Sequence, residues 1–355
     1  MSDPVLPVIP VLDIRRGSTP DVARAAESRL RDLFGRARRA YTPPLLALAD
    51  HAAQTWLQRC SNPYLGEIDE IATLIAGKGA YALNTSYEWC CTSGVGNDPE
   101  GGVRLLRVLD WNLSGLGTNL VAAWQSGPTG EFLNLTWPGF VGVITAMAPG
   151  RFAAAINQPP MISFGLSLPV DWIVGRVKLL RSNAIPPAHL LRRVFELCDS
   201  YQAAKRMLAE TPICLPAFFT LAGTKANEGC VIERTTDCAA ITEMPSAIAN
   251  HWIALPEGGH PRGGSSKDRH CMMEKALHNG DDWQAHPIVN DETRLVAVMN
   301  PANGTLSAQG FERTGPATEC LLHRARSRPR QISPKQGVGI TESRSWPAEA
   351  NSSPR

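Results

Sequence analysis

Apolar positions recur at helical spacing through the first 80 residues. Thr19-Pro20-Asp21 has the composition of a helix start, because proline suits the first turn and an acid suits the positive end of the helix dipole. A second helix is predicted after Pro43-Pro44, and a third from about Gly66 to Ala76. This part of the chain is therefore predicted to be mainly helical.

Short apolar runs between turn signals begin after Cys91, and they predict packed strands. The runs are Val103 to Leu109, Leu120 to Trp124, Glu131 to Trp137, Phe140 to Met147 and Phe152 to Ile156. Later stretches predict helices after Pro186-Pro187 and at 201–208, and strands at 217–221, 229–234 and 295–299. Asn303-Gly304 then predicts a hairpin turn. This order of elements predicts an α+β layered domain and not alternating βαβ units.

The periodic pattern is lost from about Gly315 onward. Arginines at 324, 326, 328 and 330 alternate with small residues, and Ser, Pro and Gly dominate to Arg355. Such a composition predicts a disordered basic tail over residues 315–355. A solvated extension is favoured over a binding arm.

Composition narrows the class of protein. The chain carries 35 basic and 33 acidic residues, a balance too even to predict nucleic acid as a partner. Nine cysteines without compact spacing predict reduced thiols and not a disulfide framework. The first ten residues lack a basic region and are broken by prolines, so no signal peptide is predicted. No apolar run reaches about 18 residues, so no membrane span is expected. A cytoplasmic location is the resulting expectation.

One stretch combines a thiol, a cation and a carboxylate: Cys90-Cys91 followed by Arg107-Val108-Leu109-Asp110. Cysteine is a nucleophile as its thiolate, and a nearby cation such as Arg107 would lower the thiol pKa. If the bond between Cys90 and Cys91 were cut, the new α-amino group could take the thiol proton and return it to a leaving amine. The Cys91 thiol could make that cut itself. A small buried cysteine and a strand-end salt bridge are the alternative interpretation.

Strand geometry restricts this arrangement. Residues three apart on a regular strand face opposite sides, so Arg107 and Asp110 cannot both face Cys91 on a straight strand. We therefore predict a bend, a bulge or a strand end near Leu109.

The stretch around Cys91 and several later segments resemble a known family. Cys91-Thr92-Ser93, a turn and then Arg107-Val108-Leu109-Asp110 are similar to the mature N-terminus of the acid ceramidase and N-acylethanolamine acid amidase family, whose members are N-terminal nucleophile hydrolases. Other similar segments follow in the family's order: Pro138-Gly139-Phe140-Val141-Gly142, Ala148-Pro149-Gly150-Arg151-Phe152, Ser200-Tyr201-Gln202-Ala203-Ala204-Lys205 and Ala222-Gly223-Thr224. The resemblance implies a four-layer αββα sandwich, with a helical propeptide over residues 1–90 and a catalytic part over 91–314.

The resemblance also implies roles for five residues. Cys91 would be the nucleophile, and Arg107 with Asp110 would orient its amine and thiol. Asn250 would donate to the oxyanion, and Arg269 matches an arginine that follows an acidic residue. The implied reaction is hydrolysis of a linear amide in an N-acyl lipid such as ceramide or an N-acylethanolamine. It would need no metal or organic cofactor, and the two cleaved chains would stay associated.

The chain departs from the family pattern at several positions. Residue 90 is also a cysteine, although Thr92-Ser93 and the spacing to Arg107 favour Cys91 as the nucleophile. Asn157-Gln158 stands where an acidic residue is common, and the loop before Arg269 is longer and rich in glycine.

Two rival functions stay open. One is an acyltransferase or hydrolase of other N-acyl amides, such as a β-lactam precursor or a bile-salt conjugate. The other is a non-cleaving module that binds a lipid or a partner.

Two further stretches have alternative interpretations. The apolar run from Trp172 to Leu180, with interspersed cations, is predicted to be core, with contact to a membrane surface as the competing interpretation. Histidines between His251 and His286 lack zinc-finger spacing, so a polar loop is favoured over a metal site.

Overall fold

The computed structural model describes residues 5–324. Within them the helices are α1 Thr19–Ala25, α2 Glu27–Ala40, α3 Pro43–Arg59, α4 Leu65–Leu74, α5 Ala80–Asn84, α6 Leu168–Arg181, α7 Pro187–Leu197, α8 Tyr201–Glu210 and α9 Ser266–Asn279. The strands are β1 Val11–Asp13, β2 Cys90–Asn97, β3 Val103–Asp110, β4 Val121–Gly127, β5 Gly130–Thr136, β6 Thr145–Ala148, β7 Phe152–Asn157, β8 Ala217–Ala222, β9 Gly229–Arg234, β10 Ala239–Glu243, β11 Ser246–Ile248, β12 Thr293–Asn300, β13 Thr305–Glu312, β14 Gly315–Pro316 and β15 Leu321–Arg324.

Local sequence signals set most helix starts. The backbone N–H of Ser18 donates to the Asp21 carboxylate at 2.8 Å, which ties the first turn of α1 to the residue before it. Helices α3 and α7 both begin at a proline, Pro43 and Pro187, where a missing N–H costs nothing. The helices predicted at these positions, and the one at 201–208, are confirmed.

The strands of residues 5–324 form two sheets. The first has the order β1-β4-β5-β6-β7-β8-β9-β10, antiparallel except for the parallel pair β1 and β4. The second has the order β11-β2-β3-β12-β13-β14, with β15 also pairing with β13. Strands β12 and β13 form the hairpin predicted around Asn303-Gly304.

The two sheets pack face to face over one apolar core, which includes Leu105 and Leu109 of β3 and Phe219 of β8. Helices α7 and α8 cover the outer face of the first sheet, and α9 covers the outer face of the second. A Cβ added to Gly94 would lie 2.8 Å from Met273 of α9, so the glycine allows this helix to pack closely on β2. The four-layer αββα sandwich is confirmed.

Helices α1 to α5 pack beside this sandwich. Trp56 and Ile68 are buried in one cluster with Val141 and Leu179 from the later part of the chain. Arg192 of α7 forms ion pairs of 2.7 Å with Glu67 of α4 and 2.8 Å with Glu196. Segment 5–90 is therefore fixed to the rest by both apolar and charged contacts, and its role as a propeptide stays a prediction.

One predicted strand is shorter in the structure, and β2 has no predicted counterpart. The run Phe140 to Met147 becomes a strand only from Thr145, because the backbone before it bonds to helical segments: Val141 N–H donates to Asn84 Oδ1 at 2.8 Å, and Val143 N–H donates to Ala188 O at 3.0 Å. Conversely, β2 begins at Cys90, where Gly, Ser and Thr leave little apolar signal.

The predicted tail is wrong in its first part. Residues 315–324 form β14 and β15, because the edge of β13 offers backbone groups for pairing. Residues 325–355 lie outside the described residues.

Two other interpretations also change. The stretch assigned to a polar loop contains helix α9, whose Met273 and Ala276 are buried on β2. The run from Trp172 to Leu180 is helix α6, and core packing is wrong for most of it, since Trp172, Ile173 and Val177 are exposed while Leu179 is buried. In the part of the chain that the structure describes, no helix is long and apolar enough to cross a bilayer.

Candidate active site

The strand pair β2–β3 places the candidate residues on two faces. Cys91 pairs with Leu109, and Ser93 pairs with Arg107, so these side chains face the first sheet. Cys90 pairs with Asp110, and these two lie on the opposite face, toward α9. We call these the inner face and the outer face of the pair.

The distortion predicted within β3 is wrong. Strand β3 pairs regularly with β2 through Asp110. The irregularity lies in the neighbouring strand β12, where Thr293 pairs with Asp110 and Leu295 with Leu109, which leaves Arg294 as an extra residue. Arg107 and Asp110 consequently face opposite sides of the sheet.

On the inner face, Cys91 is fully buried, with its Sγ 3.9 Å from the carbonyl oxygen of Ile156. Arg107 is also fully buried; its Nη2 donates to the same carbonyl at 2.9 Å and its Nη1 to Asn157 Oδ1. Ser93 Oγ donates to Asn157 Oδ1 at 3.1 Å. Among residues 5–324, Arg107 Nε has no hydrogen-bond partner and no carboxylate pairs with this guanidinium.

Burial dominates the titration of this face. It raises the pKa of the Cys91 thiol to about 12, against an ordinary value of 9.0, although the Arg107 charge acts in the opposite direction. Burial also lowers the pKa of Arg107. Arg107 thus acts on the thiol pKa in the predicted direction, but in the intact chain burial outweighs its effect.

On the outer face, Asp110 is buried among donors. Its carboxylate accepts from Thr293 Oγ1 at 2.8 Å and from Asn290 Nδ2 at 3.1 Å, and Arg269 Nη1 lies 3.8 Å away. Burial raises the pKa of Asp110 above its ordinary value despite these contacts. The negative charge of Asp110 is also one of the causes that raise the pKa of Cys91, so the two groups interact across the strand.

Asn250 and Arg269 connect the two faces at the backbone of residue 91. Asn250 Oδ1 accepts from the Cys91 N–H at 3.0 Å and from Arg269 Nη2 at 2.8 Å. Arg269 Nη1 donates to the Cys91 carbonyl and to Thr92 Oγ1, both at 2.8 Å. The backbone of Cys91 is thereby held at both its N–H and its carbonyl.

The fold explains why these two distant residues meet Cys91. Ile248 of β11 pairs with Ser93, so the chain leaves β11 beside the start of β2 and Asn250 follows two residues later. Helix α9 packs on β2, and Arg269 lies in its first turn. The structure therefore brings Asn250 and Arg269 to the backbone of Cys91, with Arg107 on the inner face and Asp110 on the outer face, while their catalytic roles stay predictions.

One hydrogen bond of Asn250 conflicts with its predicted role as an oxyanion donor. Its Nδ2 donates to the carbonyl oxygen of Gln158 at 2.7 Å. Donation to an oxyanion therefore requires this bond to be exchanged.

Sequence reasoning missed several of the supporting residues. Asn290 and Thr293 hold Asp110, yet nothing near them in sequence indicates that β12 pairs with β3. Asn157 was noted only as a departure from the family pattern; in the structure its Nδ2 donates to the carbonyls of Ile248 and Ala249 while its Oδ1 accepts from Arg107.

A cavity of about 720 Å³ lies beside this cluster. Gln158, whose carbonyl binds Asn250, lines it, together with the apolar residues Met161, Phe164, Trp172 and Leu215. No group of three or more His, Cys, Asp or Glu side chains in residues 5–324 is arranged to hold a metal ion.

No family model matches the chain. Acid ceramidase from Pan troglodytes is 32% identical over 237 residues, which is 61% of this chain and 53% of that protein. Acid ceramidase from Homo sapiens is 31% identical over the same length, and that from Heterocephalus glaber is 29% identical over 211 residues, 54% of this chain and 52% of that protein. The chain spans about half the length of the curated relatives it matches.

Solved structures with a similar arrangement are more distant in sequence. An N-acylethanolamine-hydrolyzing acid amidase ortholog from Caenorhabditis elegans is 19% identical with a TM-score of 0.47, covering 60% of this chain and 93% of that one. A penicillin V acylase from Agrobacterium tumefaciens is 11% identical with a TM-score of 0.39, covering 62% and 83%.

Proposed function

This chain is related to the acid ceramidases, and on that premise we propose that it is an N-terminal nucleophile amidase that hydrolyses a linear amide bond of an N-acyl lipid. The substrates proposed are fatty acyl amides of the ceramide or N-acylethanolamine kind. One observation carries the proposal: the Cys91 thiol, its N–H on Asn250 and its carbonyl on Arg269 meet at the start of β2. The relatives named above support the class of reaction.

The first step proposed is self-cleavage. Cys91 Sγ attacks the carbonyl carbon of Cys90, the C–N bond between the two residues breaks, and the thiol proton passes to the nitrogen that leaves. Water then hydrolyses the thioester and releases the carboxylate of Cys90. The products are residues 1–90 and 91–355, and the second begins with a free amine on Cys91.

Arg269 and Asn250 prepare this step by fixing the peptide of Cys91. The bonds to its carbonyl and N–H restrict rotation of the backbone at the nucleophile, which favours a reactive geometry. Arg107 supplies a cation that stabilises the thiolate as it forms on the inner face, since its guanidinium has only neutral acceptors there.

In the substrate cycle the free amine of Cys91 accepts the thiol proton, and the thiolate attacks the amide carbonyl. The amine then protonates the leaving amine, and water releases the acid from the thioester. Asn250 stabilises the oxyanion once its Nδ2 exchanges the Gln158 carbonyl for the substrate. Asp110 acts from the outer face, on the amine rather than on the thiol, because the two side chains lie on opposite sides of the strand.

The lipid part of the substrate is proposed to enter the cavity beside Gln158. Its volume of about 720 Å³ falls in the range of small-molecule sites, and its walls are largely apolar. The exposed apolar residues Trp172, Ile173 and Val177 of α6 support contact with a membrane surface as part of the same proposal.

Residues 1–90 are proposed to stay bound after cleavage. The ion pairs of Arg192 with Glu67 join the two fragments, the Arg192 guanidinium lies 4.1 Å from the ring centroid of Tyr64, and Trp56 Nε1 donates to Ser182 O at 2.8 Å. These contacts are largely buried, so cleavage of one distant peptide bond leaves them intact.

Intact mass spectrometry of the purified chain, followed by an assay on N-acylethanolamines and ceramides, tests the proposal. We expect masses for 1–90 and 91–355, co-elution of the two fragments, and release of fatty acid. Cys91→Ala should give one uncut chain without activity. A chain that stays whole at mildly acidic and neutral pH and hydrolyses no N-acyl amide would instead indicate a binding module.

A further inference from the structure

The glycine-rich loop before α9 contributes Arg262 to the lining of the cavity. We call residues 258–264 the strap. Its His260 exchanges backbone hydrogen bonds with Met161, and His260 Nε2 lies 2.7 Å from Asp171 Oδ2. Arg262 also contacts this segment, through Pro159. The strap is thus anchored to residues 158–171 at Met161, Asp171 and Pro159.

Arg262 is the charged residue of the strap, and its orientation is fixed through one atom. Its Nε donates to the carbonyl oxygen of Pro159 at 2.9 Å, and the side chain lines the cavity. In the part of the chain that the structure describes, Nη1 and Nη2 of Arg262 have no hydrogen-bond partner, and the guanidinium forms no ion pair. The bond at Nε therefore fixes the orientation of the guanidinium, and its Nη1 and Nη2 atoms are free to bind another group.

Among the described residues no carboxylate forms a direct ion pair with this cation, although the charge of Glu88 acts on it from a distance. Glu88 pairs with Arg176 at 3.2 Å, and Asp171 pairs with His260. Asp237 lies at the exposed rim of the cavity. The half-buried Arg262 guanidinium therefore offers a charged, unpaired donor group to an anion that enters the cavity.

The position of Arg262 indicates where that anion would be in a substrate. Arg262 donates to the carbonyl of Pro159, and the carbonyl of the preceding residue, Gln158, accepts from Asn250 Nδ2. The anion would thus lie on the side of the cavity nearest the proposed oxyanion donor, and not at the far end of an acyl chain, which the apolar walls can hold. A carboxylate on the carbon next to the amide nitrogen satisfies both conditions.

We propose that, among N-acyl lipids, the site prefers N-acyl amino acids to ceramides and N-acylethanolamines, and that Arg262 binds their α-carboxylate through Nη1 and Nη2. This inference rests on the proposed amidase function and specifies the amine component. A bidentate guanidinium–carboxylate contact supplies both charge and direction. Arg262 is a specificity residue in this scheme and takes no part in bond cleavage.

A matched pair of substrates tests the proposal by kinetics. N-dodecanoylglycine and N-dodecanoylethanolamine differ mainly in a carboxylate against a hydroxymethyl group. The cleaved wild-type protein should favour the glycine conjugate in kcat/KM, and Arg262→Gln should lower that preference about 10- to 100-fold, mainly through the glycine conjugate. Arg262→Lys should retain part of it, because lysine keeps the charge but loses the fork.

Arg206→Gln is the charge-matched control, since Arg206 is exposed on α8 and outside the cavity. It should leave the preference within about twofold, since an exposed charge that does not line the cavity is screened by water and salt. Equal rates on the two wild-type substrates, or an unchanged preference in Arg262→Gln, would overturn the inference. If Arg262→Gln instead changed only the retention of the 1–90 fragment, the carboxylate bound would be that of Cys90, and the substrate inference would be wrong.

A binding measurement separates this inference from the proposed function. The Cys91→Ala chain stays whole and keeps the cavity as described, so the affinity of both compounds can be measured by calorimetry without turnover. We expect tighter binding of N-dodecanoylglycine, weakened about 10-fold or more by the additional Arg262→Gln change. If wild type hydrolyses neither compound but the binding preference is present, the proposed amidase function is wrong and the role of Arg262 stands. Equal affinities for the two compounds would show that Arg262 does not bind the carboxylate.

Discussion

The inner and outer faces of the β2–β3 pair differ in the charged group that each holds and in the partners of that group. On the inner face the Arg107 cation meets only the neutral oxygens of Asn157 and Ile156, beside a neutral thiol. On the outer face the Asp110 carboxyl is enclosed by hydrogen-bond donors. The inner face is therefore suited to a negative charge that forms during reaction, whereas the outer face already holds a carboxyl group in place.

The peptide of Cys91 is the boundary between the two faces. Asn250 binds its N–H, and Arg269 binds its carbonyl. Arg269 also lies 3.8 Å from Asp110, so a change on the outer face is transmitted to the backbone of the nucleophile.

The largest effect is expected for Cys91→Ala. It removes the sulfur on the inner face and should abolish self-cleavage and lower amidase activity by at least about 10⁴-fold. Intact mass and an N-acyl amide assay measure both results. Cleavage that persists in this variant would show that Cys91 is not the nucleophile.

Asn250→Ala should have the next largest effect. It removes the amide that binds the Cys91 N–H and that is proposed to hold the oxyanion, so kcat should fall by about 10²- to 10³-fold. The matched control is Asn290→Ala, whose amide donates to Asp110 and does not touch residue 91. Equal losses in both variants would contradict a special role for Asn250.

Asp110 should make stability depend on pH in a direction set by its raised pKa. Since burial raises this pKa above 3.8, the folded chain binds the proton more tightly than the unfolded chain does. The resulting stability is fully present below pH 3.8 and is lost as the pH rises through the raised pKa.

Urea unfolding of Cys91→Ala and of Cys91→Ala/Asp110→Asn across pH measures this contribution in chains that stay whole. Above the ordinary carboxyl range, the free energy of unfolding should fall by up to about 1.4 kcal/mol per pH unit more in the chain that keeps Asp110. The opposite sign would mean that the donors around Asp110 outweigh its burial.

Cys90→Ala should have the smallest effect. The Cys90 side chain lies on the outer face and only half-buried, so cleavage should continue and activity should stay within about threefold of wild type. The readouts are those used for Cys91→Ala, for which this variant is the matched control. If cleavage were lost in Cys90→Ala and retained in Cys91→Ala, Cys90 and not Cys91 would be the nucleophile.

Much of the architecture follows from local patterns. Prolines and caps predict the starts of α1, α3 and α7, and apolar runs indicate most strands of the first sheet but only β3 and β12 of the second. The weak positions were those where local composition is misleading: β2 has few apolar residues, α9 is polar on its exposed side, and the exposed residues of α6 are as apolar as a core. In each of these the neighbouring element decides the outcome.

The sequence by itself determined which residues belong to the candidate site, through the resemblance at Cys91, Arg107, Asp110, Asn250 and Arg269. Only the tertiary structure decided how they are arranged, because the period of two in a strand and the bulge in β12 place Asp110 opposite Arg107. Burial likewise depends on the packed sheets, and it keeps the Cys91 thiol neutral in the intact chain. Residue types select the chemistry, while the distances and the solvent exclusion that control it arise from contacts between segments more than 150 residues apart.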